Sequence, residues 1–153
     1  MIPRRALAYI DASIVVRTLM HDEDGHPRGV AALADTTARA TTWTLTQVEA
    51  TCALRAAHRA KRIGAHSAVD SDMGALFAGP DALMLLPGSD PSIVDVAMGV
   101  ASRRRVRALD AMHIAVALVE GRQLAADWPV VFITADHEQG KAAKAEGLRV
   151  VAL

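Results

Sequence analysis

Short apolar runs with strand character alternate with helical segments along almost the whole chain, and this alternation limits the possible folds more than any other feature. Strands are expected over residues 6–10, 41–45, 83–86, 129–133 and 148–153. Helices are expected between them, over residues 14–20, 29–39, 46–62, 68–77, 92–102, 107–120 and 138–146. Ser13 stands where an N-cap belongs and Gly147 where a C-cap belongs. Successive strands joined by helices pair in parallel, because a parallel pair needs a long crossover connection. Such a sheet is covered by helices on both faces. The sequence carries no internal repeat, low-complexity tract or linker, so one domain over residues 1–153 is expected.

The chain has 52% apolar but only 3% aromatic residues. Much of the apolar share is alanine, which suits helices lying close on a flat surface. In the helix expected over residues 46–62, Val48, Cys52 and Ala56, with Ile63 beyond its end, suggest the buried face. On that reading Cys52, the single cysteine, is a small core residue in a reducing compartment. Lys plus Arg equals Asp plus Glu at 17 each, so no global basic field draws a nucleic acid to this protein. A nucleic-acid ligand would need a local basic patch or bound cations. No apolar run reaches the roughly 18 residues that span a membrane. Asp11 interrupts the first apolar stretch too early for a signal peptide, and the cytoplasm is the expected location.

The chemistry concentrates in four acids. In parallel α/β sheets, sites form beyond the carboxyl ends of strands. Asp11 follows the first strand, Asp136 follows the strand over 129–133, and Glu49 lies in the first turn of the helix after the second strand. Asp110 lies near the start of the helix over 107–120, among Leu109, Ala111, Met112 and Ile114. Each acid has a structural explanation as well. Asp11 and Asp136 could cap the helices they precede, Glu49 could close a capping box from Thr46, and Asp110 could pair with Arg107 or His113. Converging carboxylates about 5 Å apart would repel by roughly 3 kcal/mol per pair at an effective dielectric near 20. Divalent cations that prefer oxygen would relieve that repulsion. Asn at Asp11 or Asp110 is then expected to abolish activity and even to stabilise the cation-free protein. No Cys/His pair has zinc spacing.

Taken in order, the segments Tyr9-Ile10-Asp11-Ala12-Ser13, Thr46-Gln47-Val48-Glu49, Leu109-Asp110-Ala111-Met112-His113-Ile114-Ala115 and Thr134-Ala135-Asp136 resemble the PIN-domain nucleases, and among them the VapC toxins of bacterial toxin–antitoxin pairs. The stretch from Lys141 to Val151 is also similar. The resemblance implies a three-layer α/β/α sandwich and a ribonuclease that hydrolyses phosphodiester bonds, leaving a 5′-phosphate and a 3′-hydroxyl. It implies that Asp11, Glu49, Asp110 and Asp136 ligate one or two Mg²⁺ or Mn²⁺ ions, with Ser13 and Thr134 lending hydroxyls. A homodimer and a small VapB-like antitoxin that blocks the active groove are further implications. A PIN nuclease of RNA processing, or an inactive interaction module on the same fold, are the alternatives.

Among the remaining residues, Arg103, Arg104, Arg105 and Arg107 form the strongest basic cluster and are candidate phosphate contacts beside the site. His113 shares a helix face with Asp110 and suits a supporting role better than a catalytic one. Trp43 and Trp128 read as packing residues. Aspartyl phosphoryl-transfer enzymes are disfavoured: a haloacid-dehalogenase pattern needs a second Asp where Ser13 stands, and a receiver domain needs an acidic pair where Ile10-Asp11 stands.

Overall fold

A computed structural model describes residues 5–34, 39–63, 66–79 and 81–153. Five strands form one parallel sheet: β1 (Leu7–Ile10), β2 (Arg39–Trp43), β3 (Met84–Leu86), β4 (Val130–Thr134) and β5 (Arg149–Ala152), in the order β3-β2-β1-β4-β5. The helices between them are α1 (Ala12–Leu19), α2 (His26–Ala34), α3 (Leu45–Arg59), α4 (His66–Ala78), α5 (Ser92–Arg103), α6 (Ala108–Val116), α7 (Arg122–Ala125) and α8 (His137–Ala145). A π-helical segment, Ala117–Gly121, joins α6 to α7. This is the expected three-layer α/β/α arrangement. Among the described residues, no helix is long and apolar enough to cross a membrane.

The central strand explains the layering. All of β1 is buried, and its side chains alternate between the two faces of the sheet. Leu7 and Tyr9 join Phe132, Ile93, Ile114 and Val116 in one core, beneath α5 and α6. Ala8 and Ile10 join Ile133, Ile14, Leu19 and Leu54 in the other, beneath α1 and α3. A strand apolar at every position is therefore one that is roofed twice.

Several local expectations need correction. Asp11, not Ser13, is the N-cap of α1: its backbone is extended and its carboxylate accepts the Ser13 N–H. The helix expected over 29–39 begins earlier, at His26, and Arg39 belongs to β2; residues 35–38 lie outside the described residues. The face of α3 is also different. Thr46, Ala50, Leu54 and Ala57 are buried, while Val48 and Cys52 are exposed. Ala56 is exposed as well, so the inner face is rotated from the expected one and runs through Thr46, Ala50, Leu54 and Ala57. Cys52 is therefore a surface thiol and not a core residue. Trp43 is buried, but Trp128 is exposed and does not pack as expected. Gly147 ends α8 as anticipated, with φ +87° and the Leu148 N–H returning to the Ala143 carbonyl.

Candidate active site

Parallel strands deliver their following residues to one edge of the sheet, and the four acids arrive there from different elements. Asp11 leaves β1 and caps α1, Asp136 leaves β4 and caps α8, Glu49 lies in the first turns of α3, and Asp110 lies in the first turn of α6. Contacts between them run through two nitrogen-bearing side chains, His113 and Arg107.

The inner part of the site is buried. Asp11 is only 4% exposed, and both of its oxygens are engaged. Its Oδ2 accepts the Ser13 N–H at 3.0 Å and the Ser13 hydroxyl at 2.5 Å, with the Thr134 hydroxyl 3.3 Å away. Its Oδ1 accepts from Gln139 Nε2 at 2.8 Å and lies 3.8 Å from His113 Nδ1. Ser13 Oγ also accepts the Ala135 N–H at 2.9 Å, which ties the start of α1 to the end of β4. The Thr134 hydroxyl accepts the Asp136 N–H at 3.0 Å and donates to Gln139 Oε1 at 2.6 Å.

His113 connects Asp11 to Glu49. Its Nε2 lies 2.7 Å from Glu49 Oε2, and its Nδ1 lies 2.9 Å from the Tyr9 hydroxyl. In the neutral ring, Tyr9 donates to Nδ1 and Nε2–H donates to Glu49, so every polar atom is satisfied. Burial pulls the His113 pKa down. The hydrogen bond to Glu49 and the charges of Asp11, Glu49 and Asp110 outweigh that effect and raise it above 6.5. Burial and the charges of Asp11, Glu49 and Glu120 push the Tyr9 phenol well above 10, so it stays a donor. The Trp43 and His113 rings meet nearly at right angles, 5.4 Å between centroids.

The outer part is open to solvent. Arg107 Nε and Nη2 meet the two oxygens of Asp110 at 2.9 and 3.2 Å, and Nη2 also reaches Asp136 Oδ2 at 3.4 Å. The Arg107 backbone N–H bonds to Asp110 Oδ2 at 3.1 Å, so Asp110 also holds the start of α6. Asp136 Oδ1 accepts the N–H groups of Glu138 and Gln139 at 2.9 and 3.1 Å and thereby caps α8. Its other oxygen faces Arg107. The hydrogen bond to Asp110 and the charges of Asp110, Asp136 and Asp11 raise the Arg107 pKa.

The structure thus gathers Asp11, Glu49, Asp110, Asp136, Ser13, Thr134, His113 and Arg107 at one edge. Three structural readings of the acids hold and one does not, since Asp110 does pair with Arg107. Asp11 and Asp136 do cap helices, but no capping box forms from Thr46. Thr46 faces the Thr42 hydroxyl at 2.8 Å, while Glu49 reaches His113. The basic cluster divides. Arg103 and Arg104 bond to Glu146 at 2.8 and 3.0 Å, at the far end of α8 from Asp136, so their guanidinium groups are not beside the acids. Arg105 is exposed.

Two site residues escaped the sequence reading, and both had a signal. Tyr9 lies two positions before Asp11 in an extended strand, which puts both on one face. Gln139 lies three residues after Asp136, where a capping-box partner turns back toward the helix start.

Whether divalent cations suit this site is a question of donor chemistry and charge. The available donors are carboxylate and hydroxyl oxygens, which Mg²⁺ and Mn²⁺ prefer. Four carboxylates face one arginine and one histidine, so negative charge remains uncompensated. The donor set fits. As the side chains stand, however, no three Asp, Glu, His or Cys residues among the described residues converge on one point. The nitrogens of His113 and Arg107 lie between the oxygens.

The fold and this acidic edge accord with one family. The chain belongs to the PIN domain family, whose pattern it matches over residues 8–145. PIN domains are in general nucleases, and divalent metals are their typical cofactors. No curated protein gives a match to the chain.

Proposed function

We propose that this protein is a Mg²⁺- or Mn²⁺-dependent endoribonuclease, and the toxin of a VapBC-type toxin–antitoxin pair. One observation carries the nuclease reading. Four carboxylates from four separate segments are held at the carboxyl edge of a parallel sheet, with only Arg107 and His113 facing them. The toxin assignment rests on the resemblance of the ordered motifs to VapC proteins, which also suggests a homodimer and a VapB-like antitoxin covering the groove.

On this reading Asp11 and Asp110 would be the central ligands, with Glu49 and Asp136 completing the set. A bound divalent ion supplies Lewis acidity, which activates water and stabilises charge on the leaving oxygen. The protein's part is positional. Ser13 and Gln139 fix the Asp11 carboxylate, Thr134 orients Gln139, and His113 fixes Glu49. No side chain serves as a nucleophile. Arg107 lies against the acids, which supports it as a contact for an RNA phosphate.

The test is cleavage of a defined RNA pool by the purified protein, with end mapping, alongside Asp11→Asn. The expected result is cut RNA with 5′-phosphate ends, stopped by EDTA and restored by Mg²⁺ or Mn²⁺. Cleavage indifferent to chelation, or undiminished in Asp11→Asn, would reject this reading. Growth arrest on expression, relieved by a small protein encoded beside it, tests the toxin assignment separately.

A further inference from the structure

Arg107 occupies an unusual position among the acids. Its guanidinium spans two of them, Asp110 and Asp136, yet its side chain is 79% exposed. Its backbone is fixed independently, as the extended residue before α6 with its N–H on Asp110. The head group can therefore leave by side-chain rotation alone, without moving the helix. Both carboxylates are less exposed than the arginine, at 14% and 35%, so the arginine covers them from the solvent side. A planar fork matches carboxylate oxygens closely, and a cation placed there offsets part of their repulsion.

We infer that Arg107 is an internal counter-cation that competes with the divalent ion for Asp110 and Asp136. In the metal-free protein its fork joins the two carboxylates. It must swing into solvent before those oxygens can serve a metal. Arg107 thereby stabilises the metal-free fold and weakens metal affinity, and both effects come from the same contacts. This inference rests on the reading that the acids bind divalent cations.

The experiment uses the purified full chain and Mn²⁺ alone, with free Mn²⁺ followed by electron paramagnetic resonance. Arg107→Gln should bind Mn²⁺ about threefold more tightly than wild type, the effect expected of losing an exposed ion pair. Asp110→Asn should bind more weakly. In EDTA, Arg107→Gln should melt below wild type, and saturating Mn²⁺ should narrow or reverse the gap. Equal or weaker Mn²⁺ binding by Arg107→Gln, with wild type binding and Asp110→Asn impaired, would overturn the inference and spare the metal reading. So would a melting gap that Mn²⁺ leaves unchanged. No Mn²⁺ binding by wild type would overturn both.

Discussion

The two halves of the acidic edge are built on opposite terms. Around Asp11, a buried carboxylate is held mainly by neutral donors: a backbone N–H, the Ser13 hydroxyl and the Gln139 amide. Around Asp110 and Asp136, partly exposed carboxylates are held together by one solvent-facing arginine. The inner contacts link β1, β4, α1 and α8, so they cannot change without disturbing the fold. The outer contact breaks when one side chain rotates. The protein thus keeps one fixed anchor and one exchangeable rim at the same site.

The strongest test of that contrast is activity. Asp11→Asn should lower cleavage by at least about 100-fold, the upper range seen even for groups one step removed from a metal; a rate assay that finds less would demote the inner half. Its stability effect is the next largest. An Asn amide would set an N–H₂ against donors already aimed at the carboxylate, so urea denaturation should show a loss of about 1–3 kcal/mol. This reverses the gain expected from charge repulsion alone. Asp110→Asn, by contrast, should cost no more than about 1 kcal/mol, because the ion pair it loses with Arg107 is exposed to solvent.

A buried acid outside the proposed ligand set is a control. Glu120, in the π-helical segment, accepts the N–H groups of Gly88, Ser89 and Asp90 at 2.8, 2.7 and 3.1 Å. Glu120→Gln should therefore lower stability by about 1–3 kcal/mol while metal binding is retained. If it abolished metal binding instead, the two parts of the molecule would not be separable.

The smallest expected effect is on pH dependence. The folded pKa of His113 lies above 6.5, so its protonation contributes stability that is fully present below 6.5 and fades as pH rises through the folded value. In EDTA, wild-type stability should decline across that window, and His113→Gln should flatten the decline. Equal slopes in melts across a pH series would show that His113 does not change protonation there.

The layers of the fold were legible because β1 is apolar at every position and β4 at every position before Thr134, and only a sheet roofed on both faces accounts for such strands. Asp11, Glu49 and Asp136 could be set at one sheet edge from strand ends and a helix start, whereas Asp110 stood out only as an acid in an apolar stretch. What failed were decisions that depend on size and cap geometry. The buried side of α3 combines Leu54 with Thr46, Ala50 and Ala57, which are small or polar, so Val48 and Cys52 misled. The division of the basic cluster depended on Glu146, which is remote in sequence and gives no local sign of its partners.

Gly88 adopts φ +68°, and a β-carbon there would stand 2.1 Å from Trp43 Nε1. The absent side chain is the space the indole fills, and the indole in turn meets the His113 ring. Trp43 is therefore a native optical probe of the site. With Trp128, the other indole, replaced by Phe, emission should register the imidazole's proton and any ion entering beside it, with no label attached.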